Sequence, residues 1–197
     1  MKPTFIKLRD SRTGNTHIIN ANHIAYLSLG GGILLTEDTD SLTGSLSWEP
    51  DAAPKDISDA PIFSFYVYYK GRECDRFEYR NAEAGLEDLS QLLNVMTDAT
   101  ALPVWDLRFQ ESMVVVNRVN LRGFTVTRSH GSLRVRCTFD GFSHFFVGAE
   151  DADAEYAQHL LSTNDAPKLQ YQVETTVVPP TIVEDSEEEL FQNNLVV

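Results

Sequence analysis

Histidine and cysteine are the residue types in this chain that could bind a metal ion. The chain contains five histidines and two cysteines: His17, His23, His130, His144, His159, Cys74 and Cys137. The cysteines are far apart, with no CxxC spacing and no histidine cluster, unlike the closely spaced ligands of a zinc site. His17 and His23 would lie about 20 Å apart along one strand, too far to share a metal ion. The sequence therefore predicts no metal and no cofactor.

Residues that could form a nucleophilic or phosphate-binding site are also poorly arranged. Ser143 and His144 are adjacent, so a strand would point their side chains to opposite faces, and no GxSxG motif occurs. The glycine run at 30–32 precedes an acidic segment rather than a basic helix, unlike a phosphate-binding loop. Carboxylates are abundant but fall in predicted loops and in the tail, where burial cannot tune their pKa values. We therefore expect a protein that is not an enzyme.

Arginine has a more suggestive distribution. Six arginines fall within residues 104–137, a segment whose acids are Asp106 and Glu111: Arg108, Arg118, Arg122, Arg128, Arg134 and Arg136. The chain as a whole carries 16 Lys plus Arg against 29 Asp plus Glu, a net charge of -13. Such an acidic balance disfavours unaided binding to nucleic acid or to anionic lipid. The arginines therefore form a basic segment within an acidic protein.

Length and composition predict a folded, soluble chain. The 197 residues are 42% hydrophobic, enough for one domain or two small ones with a packed core. No apolar run approaches the roughly 18 residues of a membrane-spanning helix, and the first residues lack the apolar stretch of a signal peptide. We expect the protein in the cytoplasm or incorporated into a particle such as a virion, with both cysteines reduced.

Two stretches of the chain share one pattern. IFSFYVYYKGRECDRFEYR (62–80) and SLRVRCTFDGFSHFFVG (132–148) both alternate apolar and polar residues, which predicts hairpins with Gly71 and Gly141 in the turns. A helical pattern follows each, at 81–94 and at 149–162. The shared phase predicts that six side chains are buried: Phe65, Val67, Leu89, Val135, Cys137 and Leu160. It places four on the outward faces: Tyr66, Tyr68, Arg134 and Arg136.

The residues upstream of the hairpins also correspond. IINANHIAYL (18–27) matches VVNRVNLRGF (115–124), and each is preceded by a candidate first strand, FIKLR (5–9) or VWDLR (104–108). The chain is therefore predicted to be mainly β (α+β), with two tandem β-β-β-β-α modules at 1–98 and 99–163. The first module carries an insertion at about 30–61, whose seven acids and single lysine indicate a loop, although residues 33–35 could form a short strand. Residues 164–197 form a third region, a strand at 168–178 followed by an acidic tail.

This order of motifs resembles the small flagellar FlbD-type module. The matching positions are Ile6, Leu8, Gly14, Ile19, Asn20, Ile24, Gly71 and the helix at 81–94, with Val116, Asn117, Leu121 and Gly141 in the second copy. The duplication, the insertion and the missing first glycine of the second copy depart from that family. The resemblance implies a fold and provides no catalytic residues.

The tail after the proline pair at 179–180 has five acids, no base and several apolar residues, so it cannot bury enough of itself to fold alone. We expect it to bind a protein partner, another copy of this chain or a different assembly subunit. Its contact residues are predicted to be Glu187, Glu188, Glu189, Leu190, Phe191 and Leu195. The surface that receives a partner is predicted to include Arg118, Arg122, Arg134, Arg136, Tyr66 and Tyr68.

The function predicted from these features is structural or interactive rather than enzymatic. The chain is expected to work in a larger assembly, and a virion or other phage-encoded particle component fits best. Two alternatives remain open. An acidic regulatory or inhibitory protein could mimic nucleic acid and occupy a basic cleft, or the arginine-rich face could itself bind nucleic acid through interleaved basic and aromatic groups.

Overall fold

The computed structural model describes residues 4–10, 13–50, 62–71, 73–106, 113–163 and 168–174. Of these residues 53% lie in strands and 22% in helices, which confirms the predicted mainly β fold class. The first half contains β1 (Phe5–Arg9), β2 (Thr16–Asn20), β3 (Ile24–Leu29), β4 (Ile33–Asp38), β5 (Thr43–Trp48), β6 (Phe63–Tyr69), β7 (Cys74–Tyr79) and helix α1 (Ala82–Val95). The second contains β8 (Ala99–Leu102), β9 (Trp105–Asp106), β10 (Val114–Asn117), β11 (Leu121–Ser129), β12 (Ser132–Phe139), β13 (Phe142–Val147), helix α2 (Asp151–Ser162) and β14 (Gln170–Val173).

The strands of the described residues form four sheets. A central sheet has the order β7-β6-β3-β10-β8, and a second has the order β11-β12-β13-β9. A third has the order β14-β5-β4, and β1 pairs with β2. All pairs are antiparallel except β14 with β5, which are parallel.

The central sheet is covered on both faces. One face carries Phe65 and Val67 and packs under α1, the β1–β2 pair and the β4–β5 hairpin. The other face carries Tyr26 and Tyr68 and packs against the inner face of the β11-β12-β13-β9 sheet together with α2. Five of the six predicted core residues are buried: Phe65, Val67, Leu89, Val135 and Cys137. The sixth, Leu160, is only half-buried.

Helix α2 explains the exception at Leu160. Its buried residues are Ala154, Ala157 and Leu161, whose spacing of three and four defines one helix face. Leu160 lies at the margin of that face, where it is partly buried against the same core. Helix α1 begins at Asn81, whose side chain accepts hydrogen bonds from the backbone N–H groups of Glu83 and Ala84.

Close packing of α1 on the central sheet depends on Gly85. A Cβ at this position would lie 2.3 Å from Cδ1 of the buried Phe63 ring. Any larger residue would therefore have to displace the helix from the sheet.

The segment predicted as a loop at about 30–61 contains a hairpin. Strands β4 and β5 pair over Ile33–Asp38 and Thr43–Trp48, and residues 51–61 lie outside the described part of the chain. Ile33, Leu35, Leu46 and Trp48 all belong to the core under α1. The short strand considered at 33–35 is present, but the loop prediction is wrong for the rest of this segment up to residue 48, because its apolar side chains fill one face of a hairpin. Glu37 lies on the same face at the end of β4, where its Oε1 accepts a hydrogen bond from the Tyr171 hydroxyl at 2.8 Å.

The first strand of the second half also differs from the prediction. The strand that pairs with β10 is β8, upstream of the predicted 104–108. Within 104–108 only Trp105–Asp106 is a described strand, β9, and it pairs with β13 in the other sheet. Because β10 also pairs with β3, the central sheet includes strands from both sides of the predicted boundary at 98.

The order of elements nevertheless repeats. From β2 to α1, leaving out the β4–β5 hairpin, the order is a strand, a single 3₁₀ turn, three strands and a helix. The same order runs from β10 to α2. Gly71 and Gly141 occupy corresponding hairpin turns with φ of +93° and +86°, the left-handed region that favours glycine. The two turns lie side by side, since a Cβ on Gly141 would be 3.8 Å from Cα of Gly71. The division into tandem modules stays a prediction.

The strand predicted at 168–178 is described over Gln170–Val173. Leu169 and Tyr171 are buried while Gln170 and Gln172 are exposed, as the alternation predicts. The Tyr171 carbonyl accepts hydrogen bonds from Ser90 Oγ at 2.7 Å and Asn94 Nδ2 at 2.9 Å on α1. Residues 175–197 lie outside the described residues.

Candidate functional site

The outer face of the β11-β12-β13-β9 sheet is the strongest candidate for a functional surface. Its inner face packs in the core, so residues of the opposite phase point away from it. These residues, called the basic face below, are Trp105, Thr125, Thr127, Arg134, Arg136, Ser143 and Phe145. The strand register brings them together, because Arg136 lies opposite both Thr125 on β11 and Phe145 on β13.

Arg136 and Phe145 form the centre of the basic face. The guanidinium of Arg136 lies 5.6 Å from the centroid of the Phe145 ring, a cation–π arrangement. Its Nη2 also donates to Ser143 Oγ at 3.3 Å. Phe145 is 39% exposed, which is unusual for a large apolar ring within a sheet. Both side chains are therefore accessible to a partner.

Arg134 and Arg136 have no ion-pair partner among the residues that the structure describes. The Nε atom of Arg134 is buried and has no hydrogen-bond partner there, although the side chain as a whole is only half-buried. A buried donor without an acceptor is costly, and an added acceptor at that position would be stabilising. The predicted outward position of these two arginines agrees with the structure.

Arg122 and Arg128 lie at the two ends of β11, and each is paired within the chain. Arg122 donates to both carboxylate oxygens of Asp140, at 2.5 and 3.0 Å, and holds the pKa of that carboxyl below its usual range. Arg128 Nη2 lies 2.7 Å from Asp151 Oδ2. The pKa of Asp151 is lowered first by the backbone N–H of Leu133 and then by Arg128.

Arg118 contacts its own chain. Its Nε donates to Asp98 Oδ1 at 2.9 Å, and its Nη1 donates to the carbonyls of Leu160 and Thr163 at the end of α2. An arginine at this position satisfies carbonyls that a helix leaves unpaired at its C-terminus. With 11% of its side chain exposed, Arg118 has little surface to offer a partner.

The predicted outward position of Tyr68 is wrong. Tyr68 is 4% exposed and stacks on Tyr26, with ring centroids 4.3 Å apart. Tyr66 is half-buried, and Arg76 lies over its ring at 5.5 Å. The alternation of β6 separates two faces correctly, but the face with these tyrosines is covered by the second sheet.

A buried pair of His144 and Asp106 is a feature that the sequence analysis missed. Asp106 is fully buried, and its Oδ2 lies 3.1 Å from His144 Nε2, although the two are not aligned as a hydrogen bond. The same oxygen accepts a hydrogen bond from the Tyr26 hydroxyl at 3.4 Å. His144 alternates in phase with Phe142 and Phe146, and this pattern in the sequence could have predicted that its side chain points into the core.

This pair links β9 to β13 rather than forming a nucleophilic site. Ser143 points to the outer face, where its hydroxyl contacts Arg136 and Thr138, so it is not beside His144. Within the described ranges no group of three or more metal-ligating side chains occurs. Neither described helix is long and apolar enough to cross a membrane.

The predicted contact residues of the tail lie outside the described residues. They are Glu187, Glu188, Glu189, Leu190, Phe191 and Leu195.

No protein-family model, no curated protein and no solved structure matches this chain. The resemblance to the FlbD-type module therefore stays a prediction.

Proposed function

We propose that this chain is a non-enzymatic structural or interaction protein that works within a larger assembly. The observation that supports this function is the basic face, where Arg134 and Arg136 have no carboxylate partner among the described residues and Arg136 lies over exposed Phe145. Arginine and aromatic residues are the types enriched where proteins contact one another. A component of a virion or another phage-encoded particle is the specific form of this proposal, and its location would then be the particle or the cytoplasm.

The acidic tail of another copy is the ligand that best complements the basic face. Residues 181–197 carry five acids and no base, in a chain of net charge -13. Exposed ion pairs each contribute at most about 1 kcal/mol, so the charges would mainly orient the tail. Apolar contacts of Phe191 and Leu195 would then provide most of the affinity.

Sedimentation velocity over a concentration series tests this proposal. The full chain should self-associate, and removal of residues 181–197 should weaken association by about tenfold or more. Arg134→Glu/Arg136→Glu should weaken it to a similar extent. The matched control is Lys7→Glu/Arg9→Glu, which makes the same change in charge on the exposed face of β1 and should have little effect.

Two outcomes would contradict the proposal. One is a truncated chain that assembles as well as the full chain. The other is a charge-reversed basic face that behaves like the β1 control, because association would then not depend on this surface.

Single-stranded nucleic acid is a second candidate ligand for the same face. The Arg136–Phe145 pair, with Trp105 on the same sheet face, resembles the interleaved basic and aromatic groups on which bases stack. The test is binding of a labelled single strand across a salt series. This alternative predicts affinity that falls with salt and is lost in Phe145→Ala, whereas absence of binding at low salt excludes it.

A further inference from the structure

Strand β11 is an edge of its sheet, and no described strand pairs with its outer side. It is nine residues long, and among the described residues its only ladder partner is β12. It joins β12 through a two-residue turn at His130 and Gly131, both with positive φ. In such a hairpin the flanking residues Ser129 and Ser132 exchange both of their hydrogen bonds.

The hydrogen-bond pattern of the hairpin determines which backbone groups face outward. Alternate residues of β11 bond to β12, so Thr125 and Thr127 use their N–H and C=O groups within the sheet. The corresponding groups of Phe124, Val126 and Arg128 point away from β12. Backbone groups in this position are a template for another strand unless the edge is blocked.

The usual blocking features are weak along β11. The strand has no proline, and its register shift lies at one end, between Leu121 and Gly123. The charged residues at its two ends, Arg122 and Arg128, are each neutralised by an aspartate of the same chain. The centre, Phe124 to Thr127, is uncharged and rich in the β-branched residues that strands favour.

We propose that β11 pairs antiparallel with β11 of a second copy, about a two-fold axis at Val126. In this register the outward backbone groups of both copies face each other and form about six hydrogen bonds. Thr125 of one copy lies opposite Thr127 of the other, a favourable cross-strand pair. Phe124 lies opposite Arg128, whose stem can cover the ring. The two sheets would become one continuous sheet.

The centre of β11 is self-complementary about Val126, and the local charge permits a second copy at this edge. Two chains of net charge -13 repel one another, so they meet best on their least acidic surface, and β11 borders the basic face. The strands β12 of the two copies would be three strand spacings apart, about 14 Å. That distance exceeds the screening length of about 8 Å at physiological salt, so repulsion between the two sets of Arg134 and Arg136 is weak.

Charged residues introduced at 125 and 127 test the proposed register of the β11–β11 pair. The measurement is sedimentation velocity of the full chain. Wild type should form a concentration-dependent dimer. Thr125→Lys/Thr127→Lys and Thr125→Glu/Thr127→Glu should each weaken it by about tenfold or more, because like charges would lie opposite one another. An equal mixture of the two variants should recover a mixed dimer. The matched control is Leu34→Lys/Thr36→Lys, on exposed positions of β4, an edge strand of the third sheet, and it should dimerise as wild type does.

This proposal does not depend on the tail, and the two can fail separately. A chain lacking residues 181–197 should retain the β11 dimer even if tail-dependent assembly is lost. A wild-type chain that stays monomeric at millimolar concentration would overturn the inference. So would an unrecovered mixture of the two variants, or a β4 control that is impaired to the same degree.

Discussion

Replacement of Leu46 by alanine tests whether the β4–β5 hairpin is part of the core or a dispensable insertion. Leu46 has no exposed surface and lies in the core under α1. It pairs with Leu35 on β4 and with Val173 on the parallel strand β14. The hairpin therefore packs against both β14 and α1, and its loss would expose both.

The expected loss of stability follows from burial. Shortening leucine to alanine removes about three methylene groups, worth about 2.4 kcal/mol at about 0.8 kcal/mol each. A cavity remains because α1 and β14 hold its walls apart, so we expect a total of about 3–5 kcal/mol. Leu34 is the matched control, since it lies on the same strand pair but is 44% exposed. Its replacement by alanine should cost less than about 1 kcal/mol.

Urea denaturation is the measurement, followed both by tryptophan fluorescence and by circular dichroism. With Trp105 replaced by phenylalanine in every variant, the remaining tryptophan, Trp48, reports on the hairpin itself, and circular dichroism reports on the whole chain. Coincident transitions would indicate that hairpin and core unfold together, with an unchanged slope and a lower midpoint for Leu46→Ala. Equal costs for the two substitutions, or a fluorescence transition that precedes the other, would refute the placement of the hairpin in the core.

Three further predictions concern the second sheet and its turns. Val135→Ala should cost about 1–3 kcal/mol in the same assay and Arg136→Ala much less; equal costs would show that the two sheet faces are assigned incorrectly. A thiol reagent should modify exposed Cys74 in the native protein. Burial raises the pKa of Cys137 to about 12, so Cys137 should react only when the protein unfolds, and rapid modification of both cysteines would contradict the burial of Cys137. Arg122 lowers the folded-state pKa of Asp140, so their pairing stabilises the fold above the unfolded pKa of about 3.9 and is lost as pH falls. Asp140→Asn should therefore reduce the loss of stability on acidification, measured as urea midpoints across pH, and an unchanged acid limb would contradict this assignment.

The two hairpins were predictable because their buried faces fix the strand register. A shift by one residue would move every apolar side chain to the opposite face of the sheet. Phe65, Val67, Val135 and Cys137 alternate with polar or amphipathic neighbours, and all four are buried. The turn glycines were also predictable, since a tight hairpin requires a residue that adopts positive φ. Local pattern was sufficient here because each feature depends on residues that are close in sequence.

The β4–β5 hairpin was missed although a signal existed. Leu46 and Trp48 alternate with serines, but the surrounding acids and glycines indicated a loop. Among the described acids, Asp38 and Asp40 lie at or in the hairpin turn, and Glu37 is exposed at the margin of the core-facing side. Asp38, for example, accepts hydrogen bonds from the backbone of Asp40 and Ser41 in that turn. The composition of a segment does not distinguish the two faces of a strand. The alternation of Leu46 and Trp48 with serines was therefore given less weight than the acids and glycines around it.

The pair of Asp106 and His144 was not predictable from spacing. The two residues are 38 positions apart and meet only because β9 is added beside β13. Single-sequence patterns do not specify which strands become neighbours. The same limit applies to Arg118, whose contacts with Asp98 and with the end of α2 arise from three separate segments.

The different fates of Tyr68 and Arg136 follow from how the two sheets stack. Both lie on the strand before the turn in their predicted hairpin, and alternation assigns both to the face opposite the local core. The second sheet covers the first, so Tyr68 lies in a buried interface where its ring stacks on Tyr26. No described element covers the corresponding face of the second sheet, so Arg136 must remain hydrated in a single chain. The guanidinium of Arg136 over the exposed Phe145 ring stays hydrated and still leaves apolar ring surface for a partner. Partner binding is therefore expected at Arg136 and Phe145 rather than at the buried Tyr68.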